Sequence, residues 1–224
     1  MQTLRTEAII LRRTNYGEAD RILNMLTPEH GKVSAIAKGV RKAKSKLAGG
    51  LELFATSDIT ILKGKSDMGT ISSARMDAFY GNILKEYERM QLGYEVIRLI
   101  NRATETVAEE EFYYLLKNSL VYLNELSVDY RVVEVWFRLH LVAALGVGLN
   151  LATTPDGQPL QADQRYDFDF SDMAFVQRAG GRFGADHIKL IRLINAKNPA
   201  ILRQVSGLDA VLDDCLWLVR TANQ

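Results

Sequence analysis

The chain has 224 residues, 47% of them hydrophobic and 25% charged, enough for one large domain or two small ones, each with its own core. Its single cysteine, Cys215, excludes an internal disulfide and a cysteine-rich zinc site and fits a reducing cytoplasm. No run is apolar and long enough for a membrane span, and MQTLRTEAII lacks the charged, apolar and small succession of a signal peptide, so a cytoplasmic protein is expected.

The formal net charge of +1 conceals an asymmetry. Residues 1–80 carry 13 Lys/Arg against 8 Asp/Glu, whereas residues 81–224 carry 15 against 19. A basic module joined to a mildly acidic one is the expectation.

The first 80 residues read as strands. Ala8–Arg13 is apolar and β-branched before it turns basic. Ala19–Thr27 follows a turn at Asn15-Tyr16-Gly17, and Val33–Ala37 follows His30-Gly31. Asp58–Leu62 is a fourth strand, and Met68–Met76 a weaker fifth. Five short strands with glycine-containing turns predict a small closed β-barrel, either an OB-fold or a five-stranded SH3-like barrel.

Beyond Gly81 the period lengthens. Ile83, Tyr87, Met90, Tyr94 and Ile97 recur at helical steps, as do Phe112, Leu115, Leu116, Leu120 and Leu123. Val132, Val135, Trp136, Leu139 and Ala143 form a third such face, and Leu208, Val211, Leu212, Cys215 and Leu218 a fourth. No proline falls between Pro28 and Pro155, which suits long helices. Turn chemistry at Thr153–Pro159, alternating Tyr166, Phe168 and Phe170, and Ala179-Gly180-Gly181-Arg182 predict a small hairpin inserted around residues 151–184. The class is therefore α+β: a barrel over residues 1–80, then a helical domain over 81–224.

The chemistry concentrates in one stretch. Between His30 and Leu51 there is no acidic residue, and the interval carries Lys32, Lys38, Arg41, Lys42, Lys44 and Lys46. A mobile basic loop leaving a barrel strand follows a phosphate backbone without demanding sequence. Arg12, Arg13 and Arg21 extend that surface, and Tyr16 offers a stacking face. A basic run by itself is as readily a solvated loop; the charge asymmetry and the barrel pattern favour nucleic-acid binding.

Rival motifs fail on spacing. Gly64-Lys65-Ser66 lacks the glycine a P-loop needs five residues earlier, where Ile59 stands. Gly146-Val147-Gly148 lacks a third glycine, Leu151 replacing it, and reads as a helix end. Asp163, Asp167, Asp169 and Asp172 do not follow the EF-hand spacing and read as outward strand positions. His30, His140 and His187 show no ligand spacing, and Cys215 sits on an apolar helical face as an inert thiol. No nucleophile, base and orienting group assemble locally, so neither an enzyme nor a cofactor or metal site is expected.

Five runs together resemble one family: TEAIIL at Thr6–Leu11, YGEADRI at Tyr16–Ile22, TPEHGK at Thr27–Lys32, AKGVRK at Ala37–Lys42 and SKLAGGLELF at Ser45–Phe54. Their order and spacing are similar to those of the RecO family of bacterial recombination mediators, densely over the first 80 residues and loosely through the helices. The resemblance implies an N-terminal OB-fold and a helical C-terminal domain. It also implies binding of single- and double-stranded DNA and annealing of complementary strands. Partnership with RecR and with the single-stranded DNA-binding protein in loading RecA, at the nucleoid, follows from it as well. Many members carry a four-cysteine zinc site in the helical domain; Leu151–Gly184 has no cysteine, which points to the zinc-free branch. The helical part is implied to capture the acidic, Phe-ended tail of the single-stranded DNA-binding protein, with Arg98, Arg102, Arg131 and Arg138 as candidate cations. An RNA-binding or protein-docking module on the same barrel, without annealing activity, is the competing reading, because phosphate attraction is common to DNA and RNA.

Overall fold

The computed structural model describes residues 2–64, 68–105, 109–204 and 209–223. It divides into two compact units, Met1–Asn124 and Glu125–Gln224.

The first unit opens with five strands: β1 (Gln2–Tyr16), β2 (Asp20–Thr27), β3 (Gly31–Ala37), β4 (Ala55–Lys63) and β5 (Gly69–Phe79). They form a closed barrel in the order β1-β2-β3-β5-β4. The closing pair is antiparallel, from Gln2↔Lys63 to Ile9↔Thr56, and the β3–β5 pair is parallel at Ala35↔Gly69 and Ile36↔Thr70. That order is the OB-fold, which decides between the two barrels that the strand pattern allowed. Alternation fills the interior with Ala8, Ile10, Leu23, Met25, Val33, Ala35, Ile59, Ile61 and Ile71. Val40 and Leu51, from the segment between β3 and β4, belong to the same core. Gly50 lies so close to β5 that a Cβ there would sit 2.5 Å from the Ala74 carbonyl oxygen.

Strands give way to helix where the composition changes, β5 ending at Phe79 and a single 3-10 turn following at Gly81–Lys85. Helices α1 (Tyr87–Ala103) and α2 (Glu110–Asn124) nevertheless group with the barrel, so compactness divides the chain at Asn124/Glu125, whereas the change of period falls at 80/81. Specific contacts explain this. Glu7 of β1 accepts from the Tyr113 hydroxyl and, at 2.7 Å, from Lys117, both on α2. Burial, then the Glu7 carboxylate, pushes the Tyr113 phenol above its ordinary range, so it stays a donor. On α1, Gly93 lets the helix approach Phe54 so closely that a Cβ would meet that ring at 2.9 Å.

The face expected for α1 coincides only in part with the one it buries, Ile83 and Ile97 being in the core and Met90 half-buried. Leu92, Val96, Ile97, Leu99 and Ile100 face inward, whereas Tyr87 and Tyr94 are exposed and Ile83 belongs to the preceding 3-10 turn. Gly93 allows the close approach to Phe54, and the neighbouring Tyr94 ring, partly exposed, lies at 5.0 Å from the same residue. On α2 the expected face is the buried one: Phe112, Leu115, Leu116, Leu120 and Leu123 are all in the core.

The second unit holds α3 (Tyr130–Ala144), the hairpin strands β6 (Tyr166–Asp169) and β7 (Ala174–Gln177), α4 (Ala185–Ala196) and α5 (Asp209–Ala222). The hairpin lies inside the expected 151–184 interval. Aromatic rings pack it: Phe168 and Phe175 at 5.1 Å, Phe175 and Phe183 at 5.5 Å, and Phe170 and Trp217 at 5.8 Å. Asp167 accepts from Arg178 and from the Arg182 amide, and Asp169 caps the turn at Ser171. Helix α4 is absent from the sequence reading; its buried residues are Ile188, Leu190, Ile191 and Ile194. On α5, Leu212, Cys215 and Leu218 are buried as expected, whereas Leu208 lies outside the described residues. Burial pushes the Cys215 thiol up to about 12, which keeps it neutral and unreactive. No described helix is long and apolar enough to cross a membrane.

Glu134 of α3 is a buried charge of the second unit, 4% exposed, and it accepts from Arg138 at 2.9 Å and from Arg220 of α5 at 2.7 Å. Burial disfavours its ionised form, but the two guanidinium groups outweigh burial and hold its carboxyl below the ordinary range. A depressed folded-state value gives stability that is complete above the unfolded value, about 4.3, and is lost as pH falls through the folded value. Glu134→Gln should therefore destabilise the protein by about 3 kcal/mol at neutral pH, because it removes the buried carboxylate that Arg138 and Arg220 share. The same variant should flatten the fall in stability below about pH 4.3; urea unfolding of both proteins across pH 3–7 measures the two effects.

Candidate nucleic-acid interface

The wall formed by β1, β2 and β3 has an inner and an outer side. Rows of paired residues run across its outer side: Arg12↔Asn24↔Ser34, then Thr14↔Ile22↔Ile36, with Tyr16↔Asp20 at the tip. A register shift between Ile10 and Arg12 brings Ile9, paired with Leu26, onto the same outer side. Ile9 and Leu26 are buried, at the end of the wall that α1 and α2 cover. At the other end Arg12, Thr14, Tyr16 and Ser34 are exposed, and Ile22, Asn24 and Ile36 are half-buried. The outer surface is thus covered at one end and open at the other. The open end presents a tyrosine that is 54% exposed beside two isoleucines and polar groups.

The basic stretch leaves β3 beside that open end, and it is not the unfastened loop expected. Gly39, at φ +64°, makes a turn that few other residues adopt, and its amide donates to the Asp20 carboxylate at 2.7 Å. The Arg41 amide donates to the Ala19 carbonyl at 2.9 Å, and its guanidinium reaches the Gly17 carbonyl at 3.4 Å. Lys42 and Ser45 continue the chain of turns through bonds to Gly39 and Lys42. A 3-10 turn at Ala48–Gly50, with Val40 and Leu51 in the core, closes the segment onto the barrel. The β1–β2 turn and the basic loop therefore form one hydrogen-bonded surface.

The nine cations expected to face nucleic acid separate on this scaffold. Arg12, Lys38, Arg41, Lys42, Lys44 and Lys46 are exposed. Of these, the side chains of Arg12, Lys38, Lys42, Lys44 and Lys46 have no hydrogen-bond or ion-pair partner among the described residues. Arg21 is half-buried and donates to Asn15 at 3.2 Å, alongside the same surface. Two cations are diverted. Arg13 pairs with Glu52 at 2.7 Å and also reaches the Leu51 carbonyl. Lys32 donates to the Asn101 carbonyl at 2.9 Å, in the last turn of α1, where a cation complements the helix dipole. The two acids that bound the stretch are engaged as well, Glu52 by Arg13 and Glu29 by the Thr6 hydroxyl at 2.8 Å. Ile22, Asn24, Ser34 and Ile36 are surface residues that the sequence reading did not single out; their alternation with Leu23, Met25 and Ala35 is the signal that marks them.

The four arginines proposed for an acidic tail are divided between the two units. Arg98 and Arg102 belong to the first unit, Arg131 and Arg138 to the second. Arg98 is held by both oxygens of Glu95, at 2.7 and 2.8 Å. Arg131 is held by Asp129 and Asp209, whose hydrogen bonds raise its pKa further. Arg138 lies buried against Glu134, not on the surface. Arg102 is exposed in the last turn of α1, with no side-chain partner among the described residues. Among the described residues no group of histidine, cysteine and acidic side chains is arranged to hold a metal ion, and Lys65 and Ser66 of the rejected phosphate motif lie outside them.

Comparison with known proteins converges on the same part of the chain. Residues 1–79 match the family model described as Recombination protein O N terminal. A DNA repair protein RecO of Dehalococcoides mccartyi is 34% identical over 143 residues, 63% of this chain and 56% of that protein. The DNA repair protein RecO of Acetivibrio thermocellus is 31% identical over 147 residues, 65% of this chain and 58% of the relative. That of Heliobacterium modesticaldum is 32% identical over 162 residues, 72% and 58% respectively. The chain thus spans less than two thirds of the length of these relatives. An OB-fold strand order over residues 1–79, the family model on the same residues and relatives above 30% identity identify this part of the chain as a RecO N-terminal domain.

Proposed function

We propose that this chain binds DNA through the open end of the β1–β3 wall and the folded basic loop, and that it acts in recombinational repair by bringing complementary strands together. The observation that carries this reading is the group of cations without a partner among the described residues, Lys38, Lys42, Lys44 and Lys46, on a loop fastened beside Tyr16, Ile22 and Ile36. Such a surface neutralises phosphates and offers flat apolar contact to unpaired bases, which suits single strands. Neutralising phosphates on two strands at once lowers the repulsion that opposes pairing. The printed name of the relatives, DNA repair protein RecO, supports the same role. Partnership with RecR, capture of the tail of the single-stranded DNA-binding protein and help in loading RecA belong to this proposal. For tail capture Arg102 is the candidate to test first, since Arg98, Arg131 and Arg138 are held by their own carboxylates.

Annealing of complementary DNA oligonucleotides, with and without the single-stranded DNA-binding protein, tests the activity; no acceleration over the uncatalysed rate would refute it. A parallel titration with RNA of the same sequence separates a DNA mediator from an RNA-binding module.

The salt dependence of single-strand affinity should steepen by about 0.7 for each phosphate engaged, so simultaneous charge reversal at Lys38, Arg41, Lys42 and Lys44 should remove a slope of about 3. Binding that survives this change would sink the proposed interface. The divided roles of the cations give a finer test. Lys42→Ala should weaken binding with no change in melting temperature. Lys32→Ala should leave affinity nearly intact and cost about 1 kcal/mol of stability, because it uncaps α1. Fluorescence anisotropy and thermal unfolding of the two variants distinguish these outcomes.

A further inference from the structure

An acidic residue stands inside the most basic surface of the chain. Asp20 is the first residue of β2, paired with Tyr16, and its carboxylate faces the turn that launches the basic loop. By charge alone it opposes phosphate. Its geometry says something else. Its Oδ1 accepts from the Gly39 amide at 2.7 Å, and Gly39 holds φ +64°. Two residues on, the Arg41 amide donates to the Ala19 carbonyl, so Ala19 and Asp20 together grip both ends of one three-residue turn. Among the described residues no lysine or arginine side chain pairs with Asp20, so its charge is used on a backbone amide and not on a cation of the surface. A carboxylate bound to an amide makes a stronger bond than a neutral acceptor would.

We propose that Asp20 is a positioning residue for DNA binding, which fastens the Gly39 turn and so fixes the base from which Lys38, Arg41, Lys42 and Lys44 reach phosphate. This inference rests on the reading of that loop as the DNA surface. It assigns a role to the acidic part of YGEADRI and to the glycine of AKGVRK, two runs that the fold brings into direct contact.

The sign of the effect separates this role from simple electrostatics. Asp20→Asn keeps an oxygen acceptor and removes the charge; Asp20→Ala removes both. If Asp20 only repels phosphate, the two variants bind equally and on the order of twofold more tightly than the parent chain. If Asp20 positions the loop, Asp20→Asn binds at least as well as the parent, and Asp20→Ala binds about five- to tenfold more weakly. Gly39→Ala, which strains the same turn without altering charge, should weaken binding in the same direction. The assay is anisotropy of the full chain on a labelled single-stranded DNA oligonucleotide. It is paired with hydrogen exchange at the Gly39 amide, whose protection should fall in Asp20→Ala and persist in Asp20→Asn. Equal tightening in both Asp20 variants, or unchanged Gly39 protection in Asp20→Ala, overturns the proposal. A parent chain that fails to bind DNA while Gly39 protection follows the expected pattern refutes the DNA reading instead, and confines Asp20 to fastening the turn. Gly39→Ala keeps the binding test decisive should Asp20→Ala not fold.

Discussion

Closure of the five-stranded barrel is the constraint on which the rest of the first unit depends. With β4 paired to β1 and β3 joined to β5 at Ala35↔Gly69 and Ile36↔Thr70, the barrel closes on its own core, and the outer side of the β1–β3 wall and the loops at its ends face outward. Helices α1 and α2 take one end of that outer side through Glu7, Lys32 and Phe54. The other end, with its loop of lysines, is what remains. Covering and exposure are two results of the same geometry.

Electrostatics follow from that geometry more than from composition. A basic stretch is a binding surface only to the extent that its charges are not already spent. Here Lys32 is drawn to a helix end and Arg13 to a carboxylate, while the later lysines have no partner among the described residues. In the second unit the balance is reversed. Arg131 and Arg138 resemble free cations when read along their helix, yet both are committed to acids. The buried Glu134 and Arg138, with the exposed Arg220, join α3 to α5.

Much of this was legible in the sequence, for identifiable reasons. The strands announced themselves by alternation, and the face of α2 by its leucine spacing. The start of β1 did not, because Gln2–Arg5 are polar but for Leu4 and are held as strand by pairing with Thr60–Lys63. Helix α1 carried two overlapping periodic sets, and the tyrosines of one misled, since Tyr87 and Tyr94 are exposed while Leu92, Val96 and Ile100 are buried. Helix α4 had a usable spacing in Ile188, Ile191 and Ile194 that the preceding turns obscured. The fates of individual cations were not legible at all. Arg13 meets Glu52 across 39 residues, Lys32 meets Asn101 across 69, and Arg131 meets Asp209 across 78. Such pairings exist only once the chain has folded.

The fastened state of the basic loop changes the thermodynamics of any encounter. A disordered tail of nine residues would lose backbone freedom on binding, at about 1–2 kcal/mol for each residue ordered. From Lys38 to Lys46 much of that ordering is already complete, secured by turns and by Val40 and Leu51 in the core. Only lysine and arginine side chains remain to be restrained, and released counterions offset their loss. The free energy of folding, and not that of binding, has set the shape of the surface, so attraction to phosphate can appear almost undiminished as affinity.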